Sequence, residues 1–238
     1  MFAALELRQI RSTHLRGLSL TVEPGQRVGL VGPAGAGKSE LAAIIAGSTQ
    51  PREGWVVVDG VDVTHRGPTE RAGLGLSCLT QRPDFLPTLT VFEHVLLATK
   101  ARGRLSRRLA LAHASRIVSV SGLVTHADRP AGELDLAGSR RLQVAQILAA
   151  PRRLVVVDEL SWGIDAPTRH ELGTLLMSAT REGAAILWLD VPEMPPLPVD
   201  RLVVLVEGRL VADGQPARVL AGAELRQLKH GVGLGRSS

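Results

Sequence analysis

Val28-Gly-Leu-Val-Gly-Pro-Ala-Gly-Ala-Gly-Lys-Ser39 is the stretch whose reading decides the fold. A short apolar run leads into a glycine-rich turn that closes on a lysine and a hydroxyl. Gly32, Gly37, Lys38 and Ser39 satisfy the spacing G-x-x-x-x-G-K-[ST]. The pattern predicts a buried strand, a tight turn and a helix that begins near Lys38. Gly35 and Gly37 permit backbone torsions that a side chain would forbid. Along the loop Gly32, Pro33, Ala34, Gly35, Ala36 and Gly37, the backbone N–H groups of every residue but Pro33 can then face one anion, with the positive end of the helix behind them. Lys38 adds a full charge toward terminal phosphates, and Ser39 offers an oxygen to magnesium. A glycine turn that binds nothing is the bland alternative. The apolar strand in front and the run Leu41-Ala-Ala-Ile-Ile-Ala46 behind weigh against it.

A second anchor lies far downstream. Leu154-Val-Val-Val-Asp158-Glu159 is an apolar strand that ends in two carboxylates. An acid at the carboxyl end of a buried strand beside a phosphate loop suits magnesium, held together with Ser39. The adjacent Glu159 suits a base that orients or deprotonates an attacking water. Alone, such a strand end is commonly structural; paired with the glycine loop it points to a nucleotide, with ATP and Mg2+ as the expected cofactors.

Composition bounds the rest. The chain has 238 residues, 45% of them hydrophobic, enough for a sizeable core. No apolar run approaches the roughly 18–20 residues of a membrane span, and Met1-Phe-Ala-Ala-Leu-Glu-Leu-Arg8 has no leader pattern. A cytoplasmic protein is expected. Cys78 is the single cysteine and excludes an internal disulfide; its apolar surroundings predict a buried thiol. Net charge is +5, carried mostly by arginine, with aromatics at 3% and no tyrosine. That composition offers no interleaved aromatic and basic pattern for stacking on single strands. No nucleic acid is expected; a solvated basic face is favoured, with proximity to a membrane surface second.

In chain order, strands are expected at 5–10, 18–22, 27–31, 55–58 and 74–79, with an Asp59-Gly60 turn. From Val91 to about Gly122 the apolar spacing becomes helical. Residues 90–137 are expected to form a helical lobe inserted in the α/β core. A helix at 139–149, a strand at 154–157, a helix near 167–181 and strands at 185–189 and 201–206 complete the chain. Residues 231–238 are expected to be a mobile tail, and the whole of 1–238 a single domain.

The chain resembles the ATP-binding subunits of ABC transporters, with the branched-chain amino-acid importer subgroup as the nearest pattern. Thr80–His94, with Gln81, is similar to the family's Q-loop; Ala131–Ala145 falls where the signature motif belongs. Asp158–Asp165 resembles Walker B running into the D-loop, and Asp200–Gly214 the closing strands. Asp62-Val-Thr and Pro68–Leu76 carry the subgroup likeness. The resemblance implies a P-loop ATPase of ABC type, with a mixed-sheet core, an antiparallel β subdomain and a helical lobe. It implies that Gln81 couples the γ-phosphate and magnesium to that lobe, and that Asp165 and Glu40 border the nucleotide. It further implies a second ABC ATPase subunit, transmembrane permease subunits, a substrate-binding protein outside the membrane, and a peripheral place on the membrane's inner face.

Four departures from the pattern stand out. The signature position reads Leu134-Asp-Leu-Ala-Gly138, where Asp135 would put negative charge near a triphosphate. The switch-histidine position falls on Asp190, which cannot donate while ionised. Glu40 stands where a small hydroxyl is usual. The base-stacking aromatic that the family carries just before the position of Leu18 is absent; His14 is the one ring nearby. These departures predict weak hydrolysis for the chain on its own, and a different, more intact ATPase subunit as its partner. A nucleotide-binding regulatory subunit that does not hydrolyse is the alternative.

Overall fold

The computed structural model describes residues 2–80, 85–101, 103, 105–160, 163–191 and 198–222. Gln81, the arginines at 102 and 104, and the tail at 231–238 lie outside the described residues.

Strand β3 (Arg27–Val31) is central to a sheet of order β10-β9-β3-β8-β7-β6, formed with β6 (Leu76–Leu79), β7 (Leu154–Asp158), β8 (Ala185–Asp190), β9 (Arg201–Val206) and β10 (Arg209–Gly214). Five strands run parallel and β10 pairs antiparallel with β9. A second, antiparallel sheet of order β2-β1-β4-β5 comprises β1 (Leu5–Arg11), β2 (Arg16–Val22), β4 (Glu53–Val58) and β5 (Val61–Asp62). This is the expected mixed-sheet core with an antiparallel subdomain.

Strand alternation divides the interior. Leu154, Val156, Ala185, Leu187 and Leu189 point to the face covered by the antiparallel sheet and by α1 (Lys38–Ala46). Val155, Val157, Ile186 and Trp188 point to the opposite face. There they meet α5 (Leu136–Ala149) and α6 (Ala166–Met177), together with α3 (Val91–Lys100) and α4 (Arg107–Val120). Strands buried on both faces read as continuous apolar runs, which is why β7 and β8 look alike in the sequence.

The segment carrying α3 and α4 leaves and returns at one point. Thr90 bridges Pro130, the Val91 N–H donates to the Arg129 carbonyl at 3.0 Å, and the Ala131 N–H donates to the Leu89 carbonyl at 2.8 Å. Thr90 caps α3 by accepting from the Glu93 N–H, and Glu93 reaches back to the Thr90 N–H.

Two expectations need correction. The helix expected at 139 begins a turn earlier, at Leu136, because Asp135 supplies its N-cap. The strand expected from Leu74 begins at Leu76. Leu74 instead closes α2 (Pro68–Gly73), whose proline start and Glu70 give a helical opening that the apolar pattern does not register. Among the described residues, no helix is long and apolar enough to cross a membrane.

Candidate functional site

The phosphate-loop stretch leaves β3 at Val31. Gly32 extends the strand by donating its N–H to the Asp190 carbonyl at 3.3 Å. A Cβ at Gly32 would meet the Leu205 carbonyl oxygen at 2.2 Å, so the position has room for glycine alone. Gly35 (φ 79°) and Gly37 (φ 105°) are left-handed, and Gly37 caps α1 at Lys38. The loop surrounds a cleft of about 380 Å³ lined by Ala34, Gly35, Gly37, Lys38, Ser39, Glu40, Glu159 and His14.

Charge is concentrated on one side of this cleft. Lys38 is buried; its Nζ donates to the carbonyls of Gly32 (2.8 Å) and Pro33 (3.1 Å) and lies 3.6 Å from Glu159 Oε1. Ser39 Oγ donates to Asp158 Oδ1 at 3.4 Å. Asp158 ends β7 and is buried. The chain then turns through Glu159 in a left-handed conformation (φ 48°), with the Glu159 N–H on the Leu189 carbonyl at 3.0 Å. That turn sets Glu159 beside Lys38. A non-glycine residue there costs roughly 1–2 kcal/mol, which is the kind of strain found at functional positions.

Burial pushes the Asp158 carboxyl up to about 6; Ser39 and Lys38 oppose the rise, while Glu159 and Asp190 reinforce it. Asp158 and Glu159 thus lie near one lysine, with Asp190 close enough to act on Asp158. This donor set fits a hard divalent cation, with Ser39 and Asp158 supplying oxygens.

The other expected positions divide. Glu40 lines the cleft, yet its oxygens are turned to the β1–β2 loop. They accept the N–H groups of Thr13 (3.2 Å) and His14 (2.9 Å) and pair with His14 Nδ1 at 3.0 Å. Burial alone would raise the Glu40 carboxyl, but these bonds and one from Ser12 together hold it below the usual range. Asp165 caps α6, accepting the Thr168 N–H at 2.7 Å, and is not part of the cleft lining. Gln81 is outside the described residues. The carbonyl just before it, at Thr80, accepts from Arg140 Nη1 at 2.6 Å and from Gln143 Nε2 at 3.3 Å.

The two departures that weigh on chemistry take definite places. Asp135 Oδ1 accepts the Gly138 N–H at 2.7 Å, so its charge is spent on the start of α5 and sits at the favourable end of that helix. Asp190 is fully buried at the end of β8. Its Oδ1 accepts the Val191 N–H at 2.9 Å and its Oδ2 the Trp188 indole N–H at 3.3 Å.

A family model described as ABC transporter matches residues 15–161. The chain belongs to the ABC transporter family. Among its ABC relatives, it is 35% identical to the Nod factor export ATP-binding protein I of Rhizobium etli over 200 residues, covering 84% of this chain and 62% of that protein. It is 28% identical to the ribose import ATP-binding protein RbsA 2 of Escherichia coli over 241 residues, covering 94% and 47%. The chain therefore spans 47% to 62% of the length of these two relatives. In fold it is similar to a nucleotide-free ATP-binding cassette from an ABC transporter, with a TM-score of 0.81 at 22% identity, covering 99% of this chain and 100% of that one.

Within this ABC fold, two side chains had no functional signal in the sequence. Arg71 and Arg140 read as members of a solvated basic face, but both are fully buried and bind backbone carbonyls. Asp135 did carry a signal: an acid three residues before Gly138, at the start of a helical run.

Proposed function

We propose that this chain binds Mg-ATP in the cleft at Lys38 and hydrolyses it as the ATP-binding subunit of an ABC importer, with a different ATPase subunit as its partner. The observation that carries this is the convergence of Lys38, Ser39 and Glu159 on one glycine-lined cleft, with Asp158 bonded behind Ser39. The loop amides and Lys38 stabilise phosphate charge. Ser39 and Asp158 hold magnesium, joined by Gln81, and the ion when bound neutralises the phosphate oxygens. Glu159 takes a proton from water as its oxygen bonds to the γ-phosphorus and the bond to the leaving ADP breaks. Gly32, Pro33, Ala34, Gly35, Ala36 and Gly37 form the cradle, Glu40 borders it, and Asp165 acts at the boundary with the partner ATPase.

The unlike partner is supported by Asp135 and Asp190. Neither offers the donor that a second copy would need, so two identical half-sites would each be incomplete. A groove of about 410 Å³ between α2, β6, α3 and α5, lined by Ser77, Phe85, Ala98 and Gln146, supports docking of a permease helix against the 90–137 lobe. It supports a position at the inner membrane face, with a substrate-binding protein completing the proposed importer. Asp62-Val-Thr and Pro68–Leu76 support the branched-chain amino-acid subgroup.

Co-purification of the chain from native membranes, followed by phosphate-release assays, tests this. The expected result is ATP binding with little turnover for the chain alone. Turnover by the complex is expected to fall about 100-fold or more with Glu159→Gln. Full Glu159-dependent turnover by the isolated chain would overturn the unlike partner. A second reading, a regulatory subunit that binds ATP without hydrolysing it, is favoured by the buried and fully engaged Asp190. Turnover of the complex that ignores Glu159→Gln would support that reading instead.

A further inference from the structure

The excess positive charge of the chain is carried by the helical lobe. Between Glu93 and Asp128 the sequence has no acid and six cations, Lys100, Arg102, Arg104, Arg107, Arg108 and Arg116, against a net charge of +5 for the whole chain. The rest of the molecule is therefore close to neutral. Most of these cations fall where α3 turns into α4. The Gly103 N–H donates to the Lys100 carbonyl at 3.1 Å and the Leu105 N–H to the Gly103 carbonyl at 2.8 Å, which closes this end of the lobe tightly. Gly103 is left-handed (φ 92°), and a Cβ there would meet nothing within 4 Å, so the turn projects into open space. Lys100, Arg107 and Arg108 are exposed, and among the described residues no carboxylate pairs with them. Arg107 and Arg108 open α4 with no acid in its first turn, the unfavourable sign for a helix start. Their placement therefore does not serve the helix. Apolar surface accompanies the charge. Leu105 and Leu109 flank the two arginines and are 38% and 59% exposed; Leu97, one turn before Lys100 on α3, is 49% exposed. The packing face of α4 lies elsewhere, at Ala114, Ile117 and Val118.

We propose that the tip between α3 and α4 is a docking surface for an anionic lipid bilayer: Lys100, Arg107 and Arg108 meet acidic headgroups, and Leu97, Leu105 and Leu109 enter the boundary between headgroups and acyl chains. Cations beside exposed leucines suit that boundary, which offers negative charge and apolar depth together. A solvated basic face needs the charge but not the leucines, and a polyanion such as nucleic acid pairs with the charge alone. The groove lined by Phe85, Ala98 and Gln146 supplies a direction. Ala98 of α3 belongs to that groove and Lys100 follows two residues later, so a chain whose groove holds a permease carries its tip toward the same bilayer. This rests on the reading of the chain as a permease-bound subunit, and adds to it a lipid contact made by the chain itself.

Co-sedimentation of the full chain, without nucleotide, with two kinds of vesicle tests this: phosphatidylcholine alone, and phosphatidylcholine with phosphatidylglycerol. Binding is expected only to the anionic vesicles, weakening as salt rises. Arg107→Gln with Arg108→Gln is expected to weaken it about 25-fold, roughly fivefold per cation. Leu105→Ser with Leu109→Ser is expected to weaken it about tenfold, on the scale of partly buried apolar side chains. Arg209→Gln with Arg218→Gln removes the same charge from β10 and the segment just beyond it, at the far edge of the sheet from β6. That pair is expected to change binding by about twofold or less, because charges beyond a screening length from the bilayer contribute little. Should the leucine pair not fold, Leu109→Ser alone reads the same contact. Equal binding to both vesicles, equal loss with the two arginine pairs, or indifference to the leucines would each overturn the proposal. So would an absence of vesicle binding by the wild type; loss of co-purified permease with the Arg107 and Arg108 pair would then identify an acidic protein segment as the occupant instead. Vesicle binding by a chain that does not bind Mg-ATP would sink the ATPase reading and leave the lipid surface standing.

Discussion

Burial lifts the Asp158 carboxyl from the ordinary value to about 6, against the help of Ser39 and Lys38. The folded pKa lies above the unfolded one, so the ionised form costs the metal-free fold stability. That cost is absent below about pH 4, grows as pH rises, and is complete above about pH 6. Asp158→Asn is therefore expected to stabilise the metal-free protein near pH 7.5 by about 1–3 kcal/mol. The gain should shrink as pH falls from 6 toward 4, as read by denaturant titration at several pH values. Magnesium should stabilise the wild type and lose its effect below about pH 6, where protons compete for the same oxygen. A gain that persists unchanged at pH 4 would show that the carboxylate is not the source.

At the scale of elements, helix ends decide two matters that the apolar pattern does not settle. Asp135 caps α5, so Asp135→Ala is expected to cost about 1 kcal/mol in chemical denaturation. Asp135→Ser keeps a capping oxygen while removing the charge. In the assembled complex it is expected to preserve stability and raise ATP turnover, measured by phosphate release; a fall would show that the acid serves the partner's site. At the other end of α1, Arg71 lies buried with no exposed surface. Its guanidinium donates to the carbonyls of Ile44 (2.6 Å), Ile45 (2.8 Å), Thr64 (3.1 Å) and Arg66 (2.9 Å). The Ile44 and Ile45 carbonyls lie in the last turn of the helix that carries Lys38 and Ser39, and Arg71 ties them to the segment before α2. Arg71→Met leaves them unpaired and is expected to destabilise the protein by about 3 kcal/mol or more, several unmet bonds together. A loss below about 1 kcal/mol would mean that water replaces the guanidinium.

At the scale of the whole molecule, the glycine loop and the start of α5 are, in the proposed pairing with a second ATPase, unequal halves of a shared device. The loop keeps its glycines, lysine and hydroxyl, whereas the α5 start offers a committed acid. The expected outcome is that Glu159→Gln protein with Mg-ATP stays monomeric in size-exclusion chromatography. It is expected to shift to a dimer only when mixed with the co-purified ATPase partner. A stable homodimer of the variant would refute the unlike-partner proposal. The two large apolar clusters flank a single sheet, and β7 and β8 contribute alternate residues to both.

By itself the sequence determined the apolar strands of the core, the glycine loop, the two carboxylates at the end of β7 and the helical character of residues 91–122. Each of these is a local pattern: apolar alternation, a run of glycines at fixed spacing, or a period near 3.6. β3 and β9 match their expected bounds, each opening on an arginine and carrying no further polar side chain to its end. Only the tertiary structure decided where the charges went. Arg71 and Arg140 sit among residues distant in the sequence, and nothing in their own neighbours shows that carbonyls from other elements converge on them. Glu40 looks like an acid facing phosphate until the β1–β2 turn, 26 positions away at His14, is brought beside it. Asp135 and Asp190 read as damaged motif positions; in the fold each meets a backbone N–H that its carboxylate satisfies. A carboxylate or guanidinium is satisfied by whichever donor or acceptor the folded chain delivers, and that delivery belongs to three dimensions.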